Sequence, residues 1–375
     1  MNSITLLIVT TYPLNNEPVI RNRLEPFINV AIDKAQSVIL VSPDKEPFPI
    51  DHVNFNHVCS PDSTEKPKAF VSKALHEIKQ VARLIRLVKR IEADEIMITV
   101  PSMFLLFSLL FFPKKNIRLD VRDLTWEYLP ESSFINRVIK SIFRALACVS
   151  LKRARSISVT NISELKYVKN VCESSDTLLV TNGVSLNQFN KLNNLPSLVD
   201  GPMVVSYIGN VGLAQDLTTL VDAAAKLPNI RFNIVGAGTD FEHVSNYVEK
   251  KSLNNVNLLG RISWEDVVEV YSESHVLYAQ LTTDYDSAVP SKLYEYLVAS
   301  RYVVFGGGAQ AADLLAQFEH YTLIKPQDAK QLIEALTYIS VNTSYNINGA
   351  FNQAKIFNSF IREKSVSSLY ERWNC

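Results

Sequence analysis

Two consecutive series of short apolar runs, each run followed by a helical stretch, restrict this chain of 375 residues to an α/β fold with parallel sheets. In the first half the runs are Thr5–Thr10, Ser37–Val41, Glu95–Val100, Ile117–Val121, Ser156–Thr160 and Thr177–Val180. A second series begins at Met203, with strands expected over 203–208, 231–235, 256–259, 275–279 and 302–305. Near-continuous β-rich runs alternating with helices mark doubly wound sheets covered on both faces. The length fits two domains. After Asn182-Gly183-Val184 the composition turns to Asn, Leu, Pro and Ser, which reads as a linker. The expected division is a first domain over 1–184, a linker over 185–202, a second domain over 203–349, and a final helix over 350–375 that packs back on the first domain.

Hydrophobic residues make up 47% and charged residues 20%, as in a folded soluble protein. The net charge is zero, which gives no electrostatic ground for nucleic acid as a partner. The charge is uneven: residues 1–185 hold 24 Lys/Arg and 19 Asp/Glu, a balance of +5, and the remainder balances it. Two segments concentrate the excess. Residues 66–90 hold eight basic side chains, Arg83, Arg86 and Arg90 among them, against Glu77 alone. Residues 135–155 hold Arg137, Lys140, Arg144, Lys152, Arg153 and Arg155 and no acid. Both have interleaved apolar positions and read as amphipathic helices. Two readings stay open: helices packed on a core, or basic faces lying on anionic lipid. The run from Ile96 to Phe112 is interrupted by Pro101, and reads as a buried strand (96–100) and a short apolar helix (102–112) rather than a membrane span. The four cysteines, at 59, 148, 172 and 375, make no metal or redox spacing, and Met1-Asn2-Ser3 leads into a strand without a leader pattern, so a cytoplasmic protein is expected.

The chemistry concentrates where the second series of strands ends. Gly209-Asn210-Val211-Gly212, Gly236-Ala237-Gly238, Gly260-Arg261-Ile262-Ser263 and Gly306-Gly307-Gly308 each follow a strand. Ligands bind at that edge of an open α/β sheet, and glycine lets backbone N–H groups approach a phosphate. Each such turn alone is also ordinary strand-to-helix geometry. The dinucleotide fingerprint Gly-x-Gly-x-x-Gly and the P-loop are both absent, which argues against a dehydrogenase. The segment Asp286-Ser287-Ala288-Val289-Pro290-Ser291-Lys292-Leu293-Tyr294-Glu295-Tyr296 carries more. Proline is suited to a first helical position, which places Ser291 and Lys292 at a helix start that favours anions. Glu295 follows one turn later on the same face. A cation for phosphate and a carboxylate for sugar hydroxyls suit a nucleoside diphosphate sugar, although Lys and Glu three apart also occur on any solvated helix.

These pieces together resemble glycosyltransferase family 4, retaining enzymes of the GT-B fold with two Rossmann-like domains facing across a cleft. Asn182-Gly183-Val184 with Phe189, Tyr207 to Gln215, Asn233 to Gly238, Leu258 to Ile262, and Val289 to Tyr296 match its segments in order. Leu119-Asp120-Val121-Arg122-Asp123-Leu124-Thr125-Trp126 is similar to a segment of a subgroup that transfers amino sugars in bacterial surface-polysaccharide (O-antigen) assembly. The resemblance implies transfer from a nucleotide-sugar, UDP-sugar favoured, to a saccharide acceptor, polyprenyl-diphosphate-linked, with peripheral contact through the basic helices at the inner face of the cytoplasmic membrane. It implies donor contacts at Gly209, Asn210, Gly212, Gln215, Gly236, Gly238, Arg261, Ile262, Ser291, Lys292 and Glu295. Where the family carries a first glutamate this chain has Ser287, and Asp286 stands beside it as the replacement. Asn210 and Gln215 stand where many members carry Arg and Lys, so more of the diphosphate charge falls to Lys292. Arg21, Arg122 and Asp123 are placed on the acceptor side, with Lys292, Glu295 and Asp123 as catalytic candidates. No cofactor and no metal are expected. A nucleotide-sugar 2-epimerase and a nonenzymatic nucleotide-sugar binder remain as alternatives.

Overall fold

The computed structural model describes residues 4–15, 17–34, 36–61, 70–100, 102–111, 116–172, 176–198, 201–285, 288–342 and 347–373. The chain divides into two units, Met1–Asn182 with Arg362–Cys375, and Gly183–Ile361. In the first, β1 (Thr5–Val9), α1 (Pro18–Asp33), β2 (Ser37–Ser42), β3 (Phe55–Cys59), α2 (Phe70–Val88), β4 (Glu95–Val100), α3 (Met103–Ser108), β5 (Asn116–Val121), α4 (Phe134–Leu151), β6 (Ser156–Val159), α5 (Ile162–Val171) and β7 (Asp176–Leu179) follow one another. The second contains α6 (Leu186–Asn193), β8 (Val204–Ile208), α7 (Thr218–Lys226), β9 (Arg231–Val235), α8 (Phe241–Lys250), β10 (Val256–Gly260), α9 (Trp264–Glu273), β11 (Val276–Gln280), α10 (Lys292–Val298), β12 (Tyr302–Gly306), α11 (Ala309–Leu315), β13 (Tyr321–Ile324), α12 (Ala329–Asn342) and α13 (Ala350–Ser359), and α14 (Arg362–Trp373) closes the chain.

Each unit is one sheet, ordered β3-β2-β1-β4-β5-β6-β7 and β10-β9-β8-β11-β12-β13. Every strand pair is parallel. Apolar clusters cover both faces of each sheet, which is why the central strands read as unbroken apolar runs. Two buried ion pairs tie the first unit: Arg118 with Glu95 between neighbouring strands, and Arg23 with both oxygens of Asp120.

Two boundaries differ from expectation. The stretch read as a linker carries α6, begun by a capping box in which Ser185 accepts from the Gln188 amide and Gln188 reciprocates. Residues 350–373 form two helices, not one. The first belongs to the second unit and packs on α10, and the chain changes units between Ile361 and Arg362. Only α14 lies on the first unit, against α1, where Arg362 donates to the carbonyls of Asn182 (2.6 Å) and Asn22 (3.2 Å). Of the run Ile96 to Phe112, Ile96 to Val100 lie in β4 and Met103–Ser108 form α3, with Pro101 and Phe112 outside the described residues, and among the described residues no helix is long and apolar enough to cross a membrane.

Candidate functional site

The second sheet reverses its strand order at β8. The chain lays β9 and β10 to one side and returns to place β11 on the other. Strands β8 and β11 pair only at Val205–Val276 and Ser206–Leu277, then diverge toward their carboxyl ends. The Tyr296 hydroxyl fills the gap: it accepts from the Ile208 amide (3.0 Å) and reaches the carbonyls of Ile208 (3.3 Å) and Tyr278 (3.2 Å). This anchors α10 at the opening where open α/β sheets take their ligands.

Lys292 lies one turn before Tyr296 on that helix. Its Nζ donates to the Tyr207 hydroxyl at 2.5 Å and sits 3.8 Å from the centre of the Tyr207 ring. The Tyr207 hydroxyl in turn donates to the Asn210 carbonyl. The ammonium is therefore held against the first glycine loop, so close that a Cβ on Gly209 would meet Nζ at 2.5 Å. Burial lowers the Lys292 pKa to about 7, with Glu295 opposing the shift.

The glycine loops interlock. Gly209 N–H donates to Val235 O (2.9 Å), Val211 N–H to Ala237 O (3.1 Å), Asp240 N–H to Val211 O (3.1 Å) and Gly236 N–H to Gly260 O (2.7 Å). A Cβ on Gly236 would fall 1.7 Å from Gly209 O, and one on Gly238 would fall 2.1 Å from Val211 O. Gln215 closes the first loop by accepting from Gly212 N–H (3.2 Å) and from the Asn210 side chain (3.3 Å). Close backbone packing with a cation laid over it is an arrangement that holds phosphoryl oxygens.

Residues 190–348 match the family model described as glycosyl transferases group 1. The match lies within the second unit. The whole chain has the GT-B fold, two parallel-sheet α/β units. It is similar in fold to sucrose-phosphate synthase from Thermosynechococcus elongatus, with a TM-score of 0.76 and 15% identity over 99% of this chain and 98% of that one. It is similar to WaaG, a glycosyltransferase involved in lipopolysaccharide biosynthesis, with a TM-score of 0.71 and 13% identity over 97% and 99%. It is also similar to Anabaena HepE solved with UDP-glucose, with a TM-score of 0.70 and 14% identity over 99% of both chains. No curated protein sequence matches the chain.

Within the second unit, the structure brings Lys292, Gly209, Asn210, Gly212, Gln215, Gly236 and Gly238 together and adds Tyr207 and Tyr296. Arg261 and Ile262 follow β10, with Arg261 exposed. Glu295 is held by the protein itself: Gln188 donates to one oxygen (3.2 Å) and Tyr271 to the other (2.9 Å), so the carboxylate ties α6 and α9 to α10. Asp286 and Ser287 lie outside the described residues. The helix begins at Lys292, not at Pro290. Ser291 is exposed at the cap position with no side-chain bond, and Leu293 N–H closes a turn onto Pro290 O at 3.1 Å. With only seven residues, α10 positions the lysine and is too short for its N-terminus to count as the anion site. Among the described residues no group of three or more His, Cys, Asp or Glu side chains is placed to hold a metal ion.

In the first unit Arg122 and Asp123 follow β5 at the carboxyl edge of the sheet. The two do not pair. Asp120 is taken by Arg23, whose Nη1 also donates to Val180 O (2.6 Å) and Thr181 O (3.2 Å). Desolvation raises the Asp123 pKa, with Arg122 opposing. Arg21 lies partly buried on α1, two residues from Arg23, which belongs to the Asp120 cluster.

Proposed function

We propose that the protein is a retaining glycosyltransferase that moves a sugar from a nucleoside diphosphate sugar, UDP-sugar favoured, to a saccharide carried on a polyprenyl diphosphate, in surface-polysaccharide assembly. The observation that carries this reading is the Lys292 ammonium held over the Gly209 loop where β8 and β11 part. As the bond from sugar to diphosphate breaks, negative charge grows on the departing phosphoryl oxygens. A cation already in place stabilises it without rearrangement. Glu295 braces α10 and keeps Lys292 in position. HepE solved with UDP-glucose and WaaG in lipopolysaccharide biosynthesis support the donor class and the setting. Thermal-shift measurements with UDP, GDP, ADP and CMP test the donor: UDP is expected to raise the midpoint most. A protein unmoved by every nucleotide would remove the proposal. Incubating UDP-sugar without acceptor is expected to give no epimer.

The membrane part of the proposal rests on α4. Of the two basic helices, α4 has the larger exposed apolar stripe, which supports it as the docking element. Helix α2 buries Val81, Leu84 and Val88 in the core. Helix α4 leaves Phe134 (74%), Ile135 (68%), Val138, Ile139 and Ile142 (52%) exposed, along a shallow apolar groove. Glu131 and Glu127, just before the helix, pair with Lys140 and Arg144, so the excess of charge is smaller than the bare segment implied. Arg137, Lys152 and Arg155 remain for anionic headgroups while the apolar stripe enters the acyl boundary. Ile139→Asp with Ile142→Asp is expected to weaken sedimentation with anionic vesicles by at least about tenfold. Charge reversal at Arg83, Arg86 and Arg90 should have a smaller effect. Unchanged sedimentation of the Ile139/Ile142 variant would remove α4 as the docking element.

A further inference from the structure

The first unit contains a guanidinium without a counterpart. Arg122 N–H donates to Val100 O (3.0 Å) and the Thr160 hydroxyl to Arg122 O (3.4 Å), so the backbone is fixed between neighbouring strands. The side chain is not. Its Nε and Nη1 are buried, and among the described residues they meet no acceptor and no carboxylate pairs with the side chain. A buried charge of this kind is costly, and native proteins rarely leave one without a ligand or a role.

The charges around it explain the shortfall. Asp120 and Asp123 attract the guanidinium, Arg23 repels it, and Tyr12 stands alongside. Asp120 is already committed, accepting from Arg23 Nε (3.1 Å) and Nη2 (2.6 Å) and from the Ser158 hydroxyl (2.7 Å). Asp123 is exposed to solvent and makes no ion pair with Arg122 among the described residues. The buried carboxylate nearest the two arginines therefore serves Arg23 and not Arg122. Burial and the carboxylates of Glu77 and Glu17 raise the Tyr12 pKa, so its hydroxyl keeps its proton. Of those two acids, Glu77 is itself driven toward neutrality by burial, although it accepts from Ser102 at 2.5 Å. Arg122 keeps a partial opening to solvent, by which an anion reaches it.

We propose that Arg122, with the Tyr12 hydroxyl beside it, is a binding site for a phosphoryl group on the first unit. A planar guanidinium offers two parallel N–H bonds to phosphoryl oxygens, and the bound anion supplies the missing negative charge. The site deepens the transferase proposal by giving the acceptor's diphosphate a place. That assignment rests on the transferase reading, whereas anion binding does not.

The test uses the full chain carrying Lys292→Gln, so that the second unit's phosphate contact is weakened. Inorganic pyrophosphate and geranyl diphosphate are titrated in parallel while the unfolding midpoint is followed. Both probes are expected to stabilise this protein. Adding Arg122→Gln is expected to weaken the apparent affinity for both by at least about tenfold. Arg122→Lys keeps the charge without the fork and should retain part of the response. Without any anion, Arg122→Gln is expected to melt no lower than its parent, since an uncompensated charge has been removed. A response undiminished by Arg122→Gln would overturn the proposal. So would an Arg122→Gln protein that melts lower in the absence of anion, the mark of a structural arginine. Equal responses to the two probes assign the site to the phosphoryl group alone, and a stronger response to geranyl diphosphate assigns it to a lipid-linked acceptor. UDP stabilisation of the wild-type protein is read separately and reports on the donor site alone.

Discussion

Lys292→Gln is expected to lower kcat/KM for sugar transfer by about 10²–10³-fold, the cost of removing one preorganised group from a developing oxyanion. The size follows from position. Asn210 and Gln215 stand on the first glycine loop and bond each other there, so they add no positive charge. Among the side chains brought to that loop, Lys292 is the cation, fixed by Tyr207. Lys292→Arg should not restore activity, because the room between Nζ and Gly209 is already filled. The pH dependence has a defined sign. In the free protein, burial lowers the lysine to a pKa of about 7, and a bound diphosphate raises it again. Above pH 7 donor binding must therefore take up a proton, and affinity falls as pH rises, by up to about tenfold per unit. Calorimetry in buffers of different ionisation enthalpy reads that proton directly, and Lys292→Gln should abolish it. A wild-type donor affinity flat between pH 7 and 9 would show that the lysine is charged before the ligand arrives.

Most of this architecture was legible because the central strands are covered on both faces and so read as continuous apolar runs. The strands left unread are β3 and β13, and both lie at sheet edges. An edge strand is less covered, and Phe55-Asn56-His57-Val58-Cys59 accordingly carries polar residues where a central strand would not. The helix inside the presumed linker had a signal, Ser185 three residues before Gln188, which polar composition obscured. At the site, Lys292 and the glycine loops were legible one at a time, since each is a local pattern. What brings them together is not local. Tyr207 lies 85 residues from Lys292 and reads as a core aromatic, and the Gln188 that braces Glu295 lies 107 residues away. Tyr296 was the missed residue with a signal, one helical turn after the lysine. Arg122 was chosen for its place after a strand. Its lack of a partner is visible only once Arg23 is seen to take Asp120.

The second large effect belongs to a residue with no side chain. Gly236 has φ +134, outside the range that L residues adopt comfortably, and its N–H is committed to Gly260 O at 2.7 Å. Gly236→Ala meets two obstacles. The backbone strain is of order 1–3 kcal/mol, and the new Cβ would stand 1.7 Å from Gly209 O. That oxygen is backbone, so relief requires one loop to move away from the other. Gly209 N–H is bonded to Val235 O, immediately before the substituted residue, so the strain is returned to the same pair of loops. The expected loss of stability is about 3 kcal/mol or more, read as a lower midpoint in urea or heat. Donor binding should fail with it, because the loop displaced is the one Lys292 lies against. Two controls separate strain from collision. Gly260→Ala has φ +64 and no atom within 4 Å, so it carries the backbone cost alone, about 1–2 kcal/mol. Gly201→Ala has open space and no unusual φ, and should be nearly silent. If Gly236→Ala melted with Gly260→Ala and still bound UDP, the close approach of the two loops would play no part in forming the site.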